Sequence, residues 1–178
     1  MSTSERRGLL MHALVVLFDE EADSAVRALW RRLGATSEFP PHVTWASATA
    51  IGPKARAELA ADLEHLWLPD LWLRTLGTSA ESEQSLDLTA VVDAELLAVH
   101  SAIHDVLAGR VRNPTARHLP GSWTPRCTLL KGEPAEVSAA FAKVNPVPPI
   151  RARVRELSVL DTQTGGLSPL KKASTAPR

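Results

Sequence analysis

Pro41-His42-Val43-Thr44-Trp45-Ala46 is answered, roughly half the chain later, by Pro125-Arg126-Cys127-Thr128-Leu129-Leu130. Proline, a basic residue and threonine fall at the same spacing in both. Each run is short, apolar and rich in β-branched or aromatic residues, so each is expected to be a strand. On a strand, residues i and i+2 share a face. His42 and Thr44 therefore point together, as do Arg126 and Thr128. With the two strands side by side, one cleft would receive an imidazole, a guanidinium and two hydroxyls, a site suited to phosphate or another small anion.

Working outward, His12 to Phe18 is apolar on both faces, as in a buried strand, and the first strand is expected over Leu9 to Phe18. Asp19 is placed to cap a helix whose first turn holds Glu20, Glu21 and Asp23 and whose inward stripe is Val26, Leu29, Trp30 and Leu33. Gly34 ends it. The first motif strand then runs from His42 to Ala50. A second helix starts at Gly52-Pro53, with Leu59, Leu63 and Leu66 inward. Two strands, Leu71 to Leu76 and Ser85 to Val92, are expected to pair antiparallel across the link Ser79 to Gln84. Asp93 caps a third helix with Leu96, Val99, Ile103 and Val106 inward. Arg110 to Gly121 reads as a loop over the cleft and delivers the second motif strand, Trp123 to Lys131. A short helix from Ala135 to Val144 and one strand from Arg151 to Leu160 follow. A turn at Asp161 to Gly166 leads to Leu167 to Leu170.

This order predicts an α+β fold of two pseudo-symmetric lobes, each an antiparallel sheet with outer helices, around a central cleft. Central strands would carry His42 and Arg126. Residues 1–170 are expected to form a single bilobal domain and residues 171–178 a disordered tail.

The chain has 178 residues, 44% of them hydrophobic and 22% charged, and twenty basic residues balance twenty acidic ones. Zero formal charge argues against a general nucleic-acid coat protein but leaves room for a local cationic pocket. The single cysteine excludes an intrachain disulfide framework. No apolar run approaches the ~20 residues of a membrane span, so no membrane partner is expected. The expected setting is a monomer in the cytoplasm.

The paired motifs resemble the 2H phosphoesterases, the superfamily of the bacterial 2′-5′ RNA ligase and cyclic nucleotide phosphodiesterase proteins, whose hallmark is two His-x-Thr/Ser motifs. The resemblance extends over the opening Met11-His12-Ala13-Leu14, the run from Pro120 to Leu129, and the closing Leu157 to Thr162. It implies metal-independent chemistry without a cofactor on a small phosphate-containing or nucleotide-like ligand, RNA ends with a 2′,3′-cyclic phosphate among them. One histidine would act as base, the other as acid, and the threonines would hold non-bridging oxygens. His42, Thr44 and Thr128 keep their parts. Arg126 stands where the second histidine belongs. Arginine stays protonated and donates bidentate hydrogen bonds, but it takes no proton from water. The family reaction is therefore expected to be impaired or altered, by ~10²–10⁴ in rate for one lost acid or base. Two alternatives stay open: an anion-binding module without turnover, and an enzyme using His42 and Arg126 on a non-nucleotide substrate.

His118, just before the second motif, and Trp123, at the start of its strand, are candidate substrate-binding residues. His100 and His104 have a metal-compatible i, i+4 spacing but lack the acidic residue of the zinc-protease pattern, so a packing or surface role is expected and no metal site. Cys127 lies opposite Arg126 and Thr128 and is expected to be buried.

Overall fold

The computed structural model describes residues 12–79 and 84–172. The elements are β1 (His12–Phe18), α1 (Glu20–Leu33), β2 (His42–Ala48), α2 (Pro53–Leu63), β3 (Leu71–Thr78), β4 (Gln84–Ala90), α3 (Ala94–Leu107), β5 (Arg126–Gly132), α4 (Pro134–Val144), β6 (Ile150–Ala152), β7 (Val154–Asp161) and β8 (Leu167–Lys172). They build two four-stranded antiparallel sheets, in the orders β2-β1-β7-β8 and β5-β4-β3-β6.

An internal repeat is visible in the elements. The run β1-α1-β2-α2 has lengths of 7, 14, 7 and 11 residues, and β4-α3-β5-α4 has the same four lengths. The caps repeat too. Asp19 Oδ1 accepts from Ala22 N at 3.3 Å and Asp93 Oδ1 from Leu96 N at 2.8 Å, contacts that typically stabilise a helix by ~1 kcal/mol. Pro53 and Pro134 open α2 and α4, where the missing N–H leaves no helical bond unmade. Gly34 closes α1 at φ 70°, a left-handed conformation that costs glycine little.

The two motif strands occupy equivalent places, each the edge of its sheet rather than the centre, with β2 beside β1 and β5 beside β4. Edge placement leaves one row of backbone groups unpaired by the ladder, which other groups must cover. In each strand one residue bulges. Leu14 faces Ala46 and Val15 faces Thr44, which makes Trp45 the extra residue. Leu86 faces Leu130 and Asp87 faces Thr128, which does the same for Leu129. Both bulges fall directly after the motif threonine.

Helices cover the lobes crosswise. α1 leaves the first sheet and packs on β5, β6 and α4 of the second, while α3 lies against α2. Trp30 on α1 donates its Nε1–H to the Thr128 carbonyl at 3.2 Å. His100 and His104 on α3 both reach the Trp45 carbonyl through Nε2 at 3.1 Å. Each long helix therefore braces the other lobe's motif strand. Buried side chains of both sheets form the main core, beside a small second cluster of Ala13, Val15, Leu17 and Leu160 in the first sheet.

Several expected boundaries differ. The single strand expected over Arg151 to Leu160 breaks at Arg153. Its carbonyl accepts from Asp19 N at 2.9 Å, so β6 pairs with β3 while β7 pairs with β1. The first motif strand stops at Ala48, and Ala50 instead forms an isolated bridge with Arg112. In α3 the buried face takes His100 and Leu107 with Leu96, Val99 and Ile103, and Val106 is only partly covered. Lys171 and Lys172, expected in the tail, belong to β8, and the Lys171 Nζ donates to the Leu63 and Glu64 carbonyls at 2.7 Å. Leu9 to Met11, the link residues 80–83 and the tail residues 173–178 lie outside the described residues. Among the described residues no helix is long and apolar enough to cross a membrane.

Candidate functional site

β2 and β5 border one cleft of about 620 Å³, within the range of small-ligand sites. His42, Thr44, Arg126 and Thr128 all line it, as the common face of each strand predicts. Arg117, His118 and Lys131 line it as well, with Glu38 and the hydroxyl residues Thr36, Ser37, Ser122 and Thr124. Three cationic side chains outnumber the Glu38 carboxylate that lines the cleft and the Asp87 carboxylate behind Arg126, which leaves it basic in a chain of zero formal charge.

His42 is half-buried, and its ring is set by the loop before β2. Nδ1 lies 2.7 Å from the Pro40 carbonyl. A carbonyl only accepts, so Nδ1 carries the proton and the neutral ring keeps its lone pair on Nε2. The Phe39 ring meets it edge-on at 6.4 Å. Burial lowers the His42 pKa from the ordinary histidine value, and the Pro40 hydrogen bond works in the opposite direction. Burial thus favours the neutral ring.

The second strand is organised by a residue that the motif does not contain. Asp87 on β4 faces Thr128 in the ladder and is only 2% exposed. Its Oδ1 accepts from the Thr128 hydroxyl at 2.7 Å and its Oδ2 from Ser85 at 2.6 Å. The Arg126 guanidinium stands 3.8 Å from Oδ2. Ionic and hydrogen-bonding partners surround the carboxylate, which a buried charge requires. The sequence signal was an acidic residue between Leu86 and Leu88 in a predicted strand, a pattern that does not name its partner.

Beneath this face Cys127 is 1% exposed. Burial pushes its thiol pKa up to about 12, Asp87 and Asp23 add to the rise, and a backbone hydrogen bond from His42 opposes it. A thiol so held is no nucleophile near neutrality.

Trp123 does not line the cleft. It is 8% exposed, donates Nε1–H to the Thr44 carbonyl at 2.9 Å, and stacks on His100 with centroids 3.9 Å apart and planes 4° from parallel. Its indole faces the interior because the edge strand β2 offers an unpaired carbonyl there. Burial, followed by the neighbouring His104, pushes the His100 pKa down to about 4. His100 and His104 both donate to the bulge carbonyl of Trp45. Among the described residues no three His, Cys, Asp or Glu side chains gather as a metal-ligand set.

His118 sits in a 3₁₀ turn, Ala116–His118, within the Arg110 to Gly121 segment. That segment is fastened to β2: Thr115 N donates to the Ser47 carbonyl at 2.9 Å and Thr49 N to the Arg112 carbonyl at 3.0 Å. Ser47 Oγ donates to Thr115 Oγ1 at 2.8 Å and lies 2.8 Å from His118 Nδ1.

Two antiparallel sheets whose edge strands present paired threonine motifs to one basic cleft define a bilobal α+β protein of the phosphoesterase kind. A family model of the 2′-5′ RNA ligase superfamily matches residues 18–166, and the chain belongs to that superfamily. No curated protein matches the chain. Among solved structures it is similar to Usb1 of Kluyveromyces marxianus, with 10% sequence identity and a TM-score of 0.49 over 91% of this chain and 98% of that one.

Proposed function

We propose that the cleft binds a small phosphate-bearing, nucleotide-like ligand and performs the superfamily's phosphoester chemistry on it, with metal-independent hydrolysis of a 2′,3′-cyclic phosphate as the reaction. The observation that carries this reading is the His42 ring, whose Nδ1 is engaged by the Pro40 carbonyl. Its basic Nε2 remains for a cleft that Arg117, Arg126 and Lys131 make attractive to anions. His42 takes the proton of the attacking water. Arg126 neutralises charge that develops on the phosphoryl oxygens, and Thr44 holds one of them. The protein is proposed to act as a cytoplasmic monomer.

A second reading, binding without turnover, has one observation in its favour. The Thr128 hydroxyl gives its proton to Asp87, so it offers a phosphate oxygen no donor in this arrangement. The test is hydrolysis of a 2′,3′-cyclic nucleotide in the presence of a chelator. The proposal expects turnover that His42→Ala lowers by ~10²–10⁴. Ligand binding with no turnover would favour the second reading, and a rate that requires an added divalent ion would overturn the metal-independent mechanism.

A further inference from the structure

We propose that His118 supplies the second proton-transfer group that Arg126 cannot provide. The inference rests on the reading of the cleft as a phosphoester site. His118 enters the same cleft as His42, from a different element. The two rings are held alike. His42 Nδ1 donates to a carbonyl, and with Ser47 Oγ donating to Thr115, His118 Nδ1 is the donor to Ser47 Oγ. In both neutral rings Nε2 is then the basic nitrogen.

The turn is fixed as a catalytic group requires. Thr115 is tied to β2 through backbone and side chain, and His118 N donates to the Thr115 carbonyl at 3.0 Å. The His118 backbone also hydrogen-bonds His100 of α3. The anchoring residue, Ser47, belongs to β2 itself, so both histidines are positioned by the first motif strand.

The step balances as a simple hydrolysis. Water attacks the cyclic phosphorus while Nε2 of neutral His42 takes its proton. The bond from phosphorus to one ribose oxygen breaks, and that oxygen receives the Nε2 proton of the His118 imidazolium. Exchange with solvent resets both rings. The charged and titratable groups that line the cleft with His118 are Arg117 in its own turn, Arg126 and Lys131 on β5, His42 on β2 and Glu38 before β2, and His100 on α3 contacts its backbone. The three cations attract the anionic substrate to the cleft.

The experiment compares kcat against pH on a 2′,3′-cyclic nucleotide for the unaltered protein and for His118→Asn. The asparagine amide can still donate to Ser47, which preserves the turn, but it carries no titrating proton. The expected result is a bell-shaped profile for the unaltered protein. His118→Asn lowers kcat by ~10²–10⁴ and loses the alkaline limb, a loss that exceeds any change in affinity for a nucleoside 3′-monophosphate. His118→Gln reads the same quantities should circular dichroism show His118→Asn unfolded. An unaltered rate and both limbs in these variants would overturn the proposal. So would an Arg126→His variant that gains ~10² or more, since the second proton-transfer group would then have been missing. Nucleotide binding without turnover in the unaltered protein sinks the His118 role alone. Failure to bind any cyclic nucleotide or monophosphate sinks the reading of the cleft itself.

Discussion

The two motif threonines look alike in sequence, yet their surroundings separate them. Thr128 donates to the buried carboxylate of Asp87, while the Thr44 hydroxyl makes no such bond among the described residues. Thr128→Val should therefore act mainly on stability, removing a hydrogen bond to a charged acceptor worth roughly 1.5–3 kcal/mol. Thr44→Val should leave the urea midpoint nearly unchanged and weaken binding of a nucleoside monophosphate instead. Urea denaturation and calorimetric titration of both variants check this. Equal stability losses in the two would mean that Asp87 does not discriminate them. The faces of His42, Thr44, Arg126 and Thr128 were legible because strand alternation is a local rule. Asp87 and Ser47 were not, because they lie 41 and 71 positions from the partners they hold, Thr128 and His118. Only strand register and loop path bring them together.

At the scale of elements, what is hidden in the sequence is how an edge strand is covered. The helices α1 and α3 were readable from their aspartate caps and the 3.6-residue spacing of apolar positions. The carbonyls they cover were not. The bulges at Trp45 and Leu129 depend on the pairing of β2 with β1 and of β5 with β4. The bulge frees the Trp45 carbonyl for His100 and His104, and so a histidine pair with metal-like spacing serves as a brace. This brace has a pH signature. The folded-state pKa of His100 is about 4, against about 6.5 in an unfolded chain. Between those values the unfolded chain binds more protons, so stability rises with pH there. The contribution is complete above pH 6.5 and is lost as pH falls towards 4, a loss on the order of 3 kcal/mol. His12 and His42, also lowered by burial, act in the same direction. Unfolding free energy measured from pH 7.5 to 4 should decline, and His100→Leu should flatten the slope whatever it does to stability at neutral pH. An unchanged slope in that variant would show that His100 is not the group titrating.

For the whole molecule, the repeat and the cleft followed from the matched motifs, whereas the division of the sheets did not. A strand pattern from Arg151 to Leu160 carries no mark of the change of sheet at Arg153, since no glycine or proline interrupts it. That crossing matters for stability. β7 and β8, from the end of the chain, complete the sheet begun by β1 and β2, and α1 and α3 exchange sides to brace the opposite motif strand. The main core draws buried side chains from both lobes, and only a small second cluster, Ala13, Val15, Leu17 and Leu160, belongs to the first sheet alone. A protein of this size whose main core spans both lobes should unfold as a single cooperative unit. Urea unfolding followed by far-ultraviolet circular dichroism and by tryptophan fluorescence should give coincident transitions, although the indoles of Trp30 and Trp123 report on different lobes. Trp123→Phe, which loses the bond to the Thr44 carbonyl and part of the stack on His100, should shift both signals together by about 1–3 kcal/mol. Transitions that separate, or a Trp123→Phe effect confined to one signal, would mean that the lobes are independent folding units joined at the cleft. The two motif strands would then be held in register by packing alone, without the crossed helices.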